Sequence, residues 1–206
     1  MTVPLVSVVT PTWNRHDLLA GRCIPSVQAQ DYPAVEHVIV SDEPDPDLAA
    51  VLDAAIPAGR GPGHPAWCYE MPEHDPEARW GHWARLRGTE LAKGEYITYC
   101  DDDDALRPGH CRLLAAALDA SPGAGFAYAQ VVMHTPGGAI RIGTDPPRYG
   151  QVSVTLMHRR ELLDVATWRQ GEPTIDWDLV SCWLDAGTGY VMAAAVTADI
   201  WPSLYR

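Results

Sequence analysis

Apolar positions in this chain follow two patterns, short continuous runs and a helical spacing of three or four residues. Runs rich in β-branched residues predict buried strands, and the helical spacing predicts amphipathic helices. The runs that indicate strands cover residues 5–10, 35–40, 95–100, 126–134, 139–142, 152–158 and 190–196. The segments that indicate helices are 17–30, 45–55, 80–92, 108–120, 160–166 and 175–186.

Proline and glycine residues mark the limits of these elements. Pro11 has no backbone N–H to offer to a sheet, so we expect the first strand to end before it. Pro25 predicts a kink or break in the first helix, and Pro108 is well suited to open a later helix. Residues 57–79 contain many prolines and glycines with little periodicity, which predicts a long loop.

Strands alternate with helices through the first half of the chain, which is typical of a mainly parallel sheet flanked by helices. The sequence has 206 residues, without an internal repeat or an evident linker. That length is enough for one α/β domain with an ordinary hydrophobic core. We therefore predict a single α/β domain over residues 1–206.

The balance of charges narrows the choice of partners. The chain has 15 Lys and Arg against 27 Asp and Glu, a formal net charge of -12. Such a surface repels nucleic acid, and a site for nucleotide phosphates would need a divalent cation or local arginines. The five cysteines form no CxxC motif, and no apolar run reaches the roughly 20 residues of a membrane span. We expect a cytoplasmic protein without a membrane span.

Four consecutive aspartates, Asp101 to Asp104, follow the strong strand 95–100. Adjacent carboxylates at the end of a buried strand repel one another unless a cation neutralises them. Alternate strand residues share a face, so Asp101 and Asp103 would approach one site, and oxygen ligands suit Mn²⁺ or Mg²⁺. The alternative is a solvated acidic turn that caps the next helix. His110 and His158 are further candidate ligands, although a lone histidine is more often structural.

Four segments in one order carry a resemblance to a known family. They are VSVVTPTWNR at 6–15, HVIVSDEPDPD at 37–47, the segment 84–109 with its aspartate run, and IDWDLVSCWLDAG at 175–187. Together they resemble family 2 glycosyltransferases, which have the Rossmann-like GT-A fold. The resemblance implies a nucleotide-sugar donor and a divalent metal, with residues 1–110 as the nucleotide and metal half and 111–206 as the acceptor half.

The resemblance also implies roles for single residues. Those placed around the nucleotide sugar are Pro11, Thr12, Asn14, Arg15, Asp42, Arg85, Arg87, Asp101 and Asp102. Asp101 and Asp103 would be the metal ligands. Asp104 would not bind the metal directly but would orient the residues that do. Simpler roles remain open: Asp42 as a turn former, and Arg85 and Arg87 as parts of an exposed helix face.

Asp176 matches the family's catalytic base, which implies a single displacement at the anomeric carbon with inversion. Its simpler role is an N-cap of its own helix, and the two roles are compatible. The family usually has an acid immediately before the base, whereas this chain has Ile175. That departure motivates an alternative, a non-catalytic nucleotide-sugar-binding subunit.

A sugar-phosphate nucleotidyltransferase is a second alternative, but such enzymes usually have a glycine-rich basic loop after the first strand, and Pro-Thr-Trp-Asn-Arg stands here instead. Within the leading hypothesis we favour a UDP-sugar as donor. Because the chain ends soon after the segment with the base, we expect a small soluble or saccharide acceptor. The sequence is also compatible with a homodimer.

Overall fold

The computed structural model of the protein describes residues 3–56, 66–71, 73, 81–168 and 176–202. The strands within this part of the chain are β1 Val6–Thr12, β2 Val35–Ser41, β3 Ala66–Glu70, β4 Tyr96–Tyr99, β5 Ala105–Leu106, β6 Ala124–Thr135, β7 Gly138–Ile142, β8 Met157–Arg159 and β9 Gly189–Ile200. The helices are α1 His16–Leu18, α2 Ile24–Gln28, α3 Leu48–Ala55, α4 His82–Leu91, α5 His110–Ala120 and α6 Asp176–Asp185. A π-helical turn, Leu19–Cys23, joins α1 to α2, and a 3₁₀ helix, Arg160–Asp164, follows β8.

The described strands form one sheet in the order β3-β2-β1-β4-β8-β6-β9-β5, with β7 paired to β6. The first four strands in this order are parallel, as the alternation of strands and helices predicted. The direction reverses at β8, which runs antiparallel to both β4 and β6. The second half of the sheet is therefore mixed, although β6 and β9 are parallel to each other.

Strand β1 separates two hydrophobic layers. Its residues alternate between the faces of the sheet, so Val8 packs in the cluster that contains Leu19, and Val9 packs in the cluster that contains Ala84. Helix α4 lies very close to the sheet, since a Cβ added at Gly88 would lie 2.4 Å from Val9 Cγ1. The absence of a side chain at Gly88 thus lets α4 approach the strand that leads to the candidate site.

The prediction that β1 ends before Pro11 needs revision, whereas the irregularity predicted at Pro25 is present. Strand β1 continues through Pro11 to Thr12. Pairing with β4 ends at Val9, whose carbonyl accepts from Cys100 N, and only β2 continues alongside. The missing N–H of Pro11 therefore falls on the side that β4 has already left. The irregularity predicted at Pro25 takes the form of the π-helical turn immediately before α2, which has this proline near its start.

Other boundaries also differ from the prediction. Residues 66–70 of the predicted loop 57–79 form edge strand β3, which pairs with β2. Residues 152–156 are a turn rather than a strand, and only Met157–Arg159 pair with β4. These strand assignments depend on tertiary pairing, which no local pattern encodes.

Ile175 and Trp80 lie outside the described residues. None of the described helices has the length and apolar composition needed to cross a membrane.

Candidate functional site

The four aspartates form a turn at the carboxyl end of β4, which we call the aspartate turn, residues 101–104. Strand β4 is buried throughout, and the chain then turns so that Asp104 N donates to Asp101 O at 3.0 Å. Strands β1 and β2 end beside β4, and the carboxyl ends of parallel strands are where ligands bind in open α/β sheets.

The turn divides its carboxylates into two groups. Asp101, Asp103 and Asp104 each offer an oxygen, and these oxygens lie within 4.8 Å of one another. Asp102 instead accepts hydrogen bonds at 2.9 Å from Thr12 Oγ1 and at 3.1 Å from Arg15 Nη1. Asp101 and Asp103 meet as expected, but through the turn and not through strand alternation. Asp104, expected to lie outside the ligand group, joins it for the same reason.

Three arginines supply positive charge at the turn. Arg85 Nη2, on α4, lies 2.6 Å from both carboxylate oxygens of Asp101. Arg15 Nη1 donates to Asp103 Oδ2 at 2.5 Å in addition to its bond with Asp102. Arg22, in the π-helical turn, donates to the carbonyl oxygen of Asp103. Sequence analysis did not select Arg22, because nothing in its local pattern sets it apart from a surface arginine.

Burial makes three carboxylates of the turn, those of Asp102, Asp103 and Asp104, hard to ionise without a counter-charge. Desolvation raises the pKa of Asp102 to about 7, and the Arg15 charge opposes this rise. The pKa of Asp103 is raised by burial and by the Asp101 charge, and the same causes raise that of Asp104 well above its ordinary value. Two buried carboxylates that resist ionisation, those of Asp103 and Asp104, converge with the carboxylate of Asp101, and this arrangement fits a hard divalent cation such as Mn²⁺ or Mg²⁺.

The aspartate turn is also tied to the end of the last strand. Trp201 N, just past β9, donates to Asp104 Oδ1 at 2.9 Å. The guanidinium carbon of Arg22 lies 3.8 Å from the centre of the Trp201 ring, and the His134 ring stacks on the same indole at 4.5 Å. Trp201 therefore contacts a candidate ligand and also the arginine that bonds to the neighbouring carbonyl. The sequence separation of 97 residues hid this contact from sequence analysis.

Asp176 is the first residue of α6 and lies within the electrostatic reach of the aspartate turn. Desolvation raises the pKa of its carboxyl to about 6, the Arg85 charge lowers it, and the Asp101 charge raises it. A backbone hydrogen bond from Val154 also favours the ionised form. Arg85 thus influences both Asp101 and Asp176, which are 75 positions apart in the sequence. A carboxyl whose pKa approaches neutrality is suited to accept a proton.

The ends of β1 and β2 bring the remaining predicted nucleoside residues together. Asp42 N donates to Thr12 O at 2.9 Å, and the Asp42 side chain is buried. Asn14 has a φ of 52°, a left-handed conformation that asparagine tolerates better than most residues, and its Nδ2 donates to Glu43 Oε1 at 3.0 Å. These residues border the same sheet edge as Asp102.

Three other candidates have different neighbours. Arg87 Nη1 donates to Glu90 Oε2 at 2.9 Å, and its guanidinium lies 4.6 Å from the centre of the Tyr69 ring. His110 and His158 are fully buried, and burial lowers the pKa of each, to about 3 and about 4. Their Nε2 atoms bond to hydroxyls of β4, those of Thr98 and Tyr99. Both histidines therefore belong to the interior of the sheet and not to the ligand group.

Comparisons with known proteins give the same picture of the fold. The chain is 29% identical over 113 residues to the GalNAc(5)-diNAcBac-PP-undecaprenol beta-1,3-glucosyltransferase of Campylobacter jejuni, a match that covers 52% of this chain and 32% of that protein. S. aureus TarS 1-349 in complex with UDP-GlcNAc superposes with a TM-score of 0.75 at 15% identity, covering 98% of this chain and 60% of the other. PcManGT from Pyrobaculum calidifontis, a mannosyltransferase in complex with GDP-Man and Mn²⁺, superposes with a TM-score of 0.72 at 18% identity, covering 97% and 57%.

This chain spans only about a third of the length of that curated relative. At identities below 20%, the two superpositions establish the fold and leave the chemistry open. The family model described as Glycosyl transferase family 2 matches residues 7–161, well over half of the chain. The aspartate turn, the two strand ends beside it and helix α4 all fall within that match. The chain therefore belongs to glycosyl transferase family 2 and has the GT-A fold.

Proposed function

We propose that this protein transfers a sugar from a nucleotide-diphosphate sugar to an acceptor hydroxyl with inversion at the anomeric carbon. The observation that carries this proposal is the approach of three carboxylates to within 4.8 Å at the carboxyl end of β4, with Asp176 in electrostatic reach. Family membership supports the reaction class. A UDP-sugar is the favoured donor, since TarS, a structural neighbour, is described in complex with UDP-GlcNAc.

In this proposal the chain divides its tasks between two halves. Residues 1–110 bind the donor: Thr12, Asn14 and Asp42 border the nucleoside, and Arg85 faces the phosphates or the sugar. Residues 111–206 shape the acceptor site, which we propose for a small soluble or saccharide acceptor. Asp176 belongs to this second half, in which a backbone hydrogen bond from Val154 favours its ionised carboxylate.

Asp176 acts as the general base. Its carboxylate takes the proton of the acceptor hydroxyl, and the acceptor oxygen forms a bond to the anomeric carbon. The bond from that carbon to the diphosphate oxygen breaks, and its electron pair leaves with the nucleoside diphosphate. Asp101, Asp103 and Asp104 would hold Mn²⁺ or Mg²⁺, which would neutralise charge on the departing diphosphate. Arg85 restrains Asp101 and keeps Asp176 more easily ionised.

A thermal-shift titration with UDP, GDP, ADP and dTDP, each with and without Mn²⁺, tests the donor site. At a hundred times its dissociation constant, a ligand stabilises the folded state by about 2.7 kcal/mol. For a chain of this size, that corresponds to a rise in Tm of roughly 5–11 °C. We expect such a rise for UDP, and only with the metal. If no nucleotide raises the Tm under either condition, the proposal fails.

Sugar transfer then separates an enzyme from a non-catalytic binding subunit. The protein is incubated with Mn²⁺, a panel of UDP-sugars and saccharide acceptors, and release of UDP is measured. We expect turnover that Asp176→Asn abolishes, while the metal-dependent shift with UDP persists in the variant. Metal-dependent binding without any turnover across the panel would favour the binding subunit, which the isoleucine at position 175 motivates.

A further inference from the structure

Within the part of the chain that the structure describes, the aspartate turn has more carboxylates than partners of opposite charge. Asp101 is matched by Arg85, which approaches both of its oxygens. Asp102 and Asp103 share a single cation, because the same Nη1 atom of Arg15 donates to both. Arg22 reaches the turn at a carbonyl group and not at a carboxylate. Arg15 is thus the guanidinium that balances two buried acids at once.

A divalent cation and Arg15 have conflicting requirements at Asp103. The cation needs the oxygens of Asp101, Asp103 and Asp104, which converge on one point. Arg15 lies 2.5 Å from one oxygen of Asp103 and would stand a few ångströms from the bound cation. Two positive groups so close repel each other strongly in a partly buried site. Occupation by the cation therefore favours a position of Arg15 farther from the turn.

Arg15 is placed differently from the other two arginines. Arg85 is buried on α4 and its guanidinium also packs over the Trp168 ring at 5.4 Å. Arg22 is held against the Trp201 ring. Arg15 lies at the N-terminal end of α1, next to Asn14 with its left-handed backbone, and 13% of its side chain is exposed. It follows the end of β1, the sheet edge at which Thr12 and Asp42 also lie.

We propose that Arg15 is an exchangeable counter-ion: it neutralises Asp102 and Asp103 while the site lacks a cation, and moves to the diphosphate of the donor when cation and nucleotide bind together. This inference rests on the proposed function. The diphosphate would bring the negative charge that Arg15 gives up at the turn. Arg15 would then oppose binding of the metal alone and assist binding of the metal with a nucleoside diphosphate.

Two effects of opposite sign follow from this exchange. Arg15→Gln removes the competing charge, so we expect Mn²⁺ alone to bind about tenfold more tightly than to the wild type. The same variant lacks the group that receives the diphosphate, so UDP in the presence of saturating Mn²⁺ should bind about tenfold more weakly. A residue with a purely structural role would weaken both equilibria or neither.

The experiment measures free Mn²⁺ by electron paramagnetic resonance during titration of the protein, and UDP binding by calorimetry at saturating Mn²⁺. Arg15→Lys keeps the charge and should keep Mn²⁺ affinity near the wild-type value. Arg112→Gln is the matched control, since Arg112 is exposed and pairs with Asp31 away from the turn. Its two affinities should equal those of the wild type. Thermal unfolding establishes that each variant is folded.

The exchange is overturned if Arg15→Gln binds Mn²⁺ no more tightly than the wild type does. It is also overturned if the wild type binds UDP at saturating Mn²⁺ and Arg15→Gln binds it equally tightly. The titration with Mn²⁺ alone separates this inference from the proposed function. Tighter Mn²⁺ binding in Arg15→Gln, with no binding of any nucleotide to the wild type, would support the competition at the turn while refuting the donor site and the transfer of Arg15 to it.

Discussion

The pKa of Asp176 leads to a specific dependence of activity on pH. Burial raises that pKa to about 6, with Asp101 adding to the rise and Arg85 opposing it. A general base works only when ionised, so activity should fall as the pH falls through this value. About nine tenths of Asp176 is ionised at pH 7 and about one tenth at pH 5, so kcat should drop roughly tenfold between them.

The sign of the effect on stability is opposite to that on activity. Because the folded-state pKa lies above the ordinary value of 3.8, the folded protein binds this proton more tightly than the unfolded chain does. Ionisation of Asp176 therefore destabilises the fold above about pH 6, and this destabilisation disappears as the pH falls towards 4. Loss of activity between pH 7 and pH 5 should not be accompanied by unfolding caused by this group.

The assay is UDP release at saturating donor and acceptor, from pH 4.5 to 8.5, repeated at several concentrations of Mn²⁺. Protons also compete with the metal for the aspartate turn, and that competition would move with the concentration of Mn²⁺. The fall in activity caused by protonation of Asp176 should stay at the same pH at every concentration of Mn²⁺; we call this fall the Asp176 step. Arg85→Gln should move the step to higher pH, since the Arg85 charge lowers the pKa of Asp176.

Asp185→Asn is the control, because Asp185 is exposed at the opposite end of α6 and should leave the profile unchanged. A step near pH 6 that shifts with the concentration of Mn²⁺ would assign the proton to the aspartate turn and refute the reasoning. A flat kcat from pH 7 to pH 5 would refute it as well, because it would mean that no group with the pKa of Asp176 limits the reaction.

Two further predictions concern packing. Gly88→Ala should destabilise the fold by about 1–3 kcal/mol and lower the Tm by several degrees, because its Cβ would overlap Val9 Cγ1. Gly88→Ala should therefore cost less stability in a chain that already carries Val9→Ala than it does in the wild type. Equal costs in the two backgrounds, measured by chemical denaturation, would exclude that contact as the cause. Trp201→Ala should weaken Mn²⁺ binding about tenfold, since the ring positions Arg22 and the backbone that bonds to Asp104. Trp201→Phe should retain most of the affinity in the same titration, whereas equal losses in both variants would contradict a role for ring stacking.

Local patterns in the sequence were sufficient for the parallel strands β1, β2 and β4 and for the position of the aspartate turn, but not for edge strand β3. The run LVSVVT and the strand before Asp101 are hydrophobic enough to be buried whatever surrounds them. The order of four segments also indicated the family, which the match over residues 7–161 confirmed. The roles assigned to single residues at the site remain predictions, because neither the fold nor the family match tests them.

Only the tertiary structure decided how the aspartates are used and what holds them. A strand would have placed Asp101 and Asp103 on one face, but a turn joins Asp104 to them and points Asp102 towards Thr12. The contact of Trp201 with the turn arises when β9 pairs with β5 and β6, far apart in sequence. Such contacts depend on how strands pair across the sheet, and a periodic pattern records only which face of an element is buried.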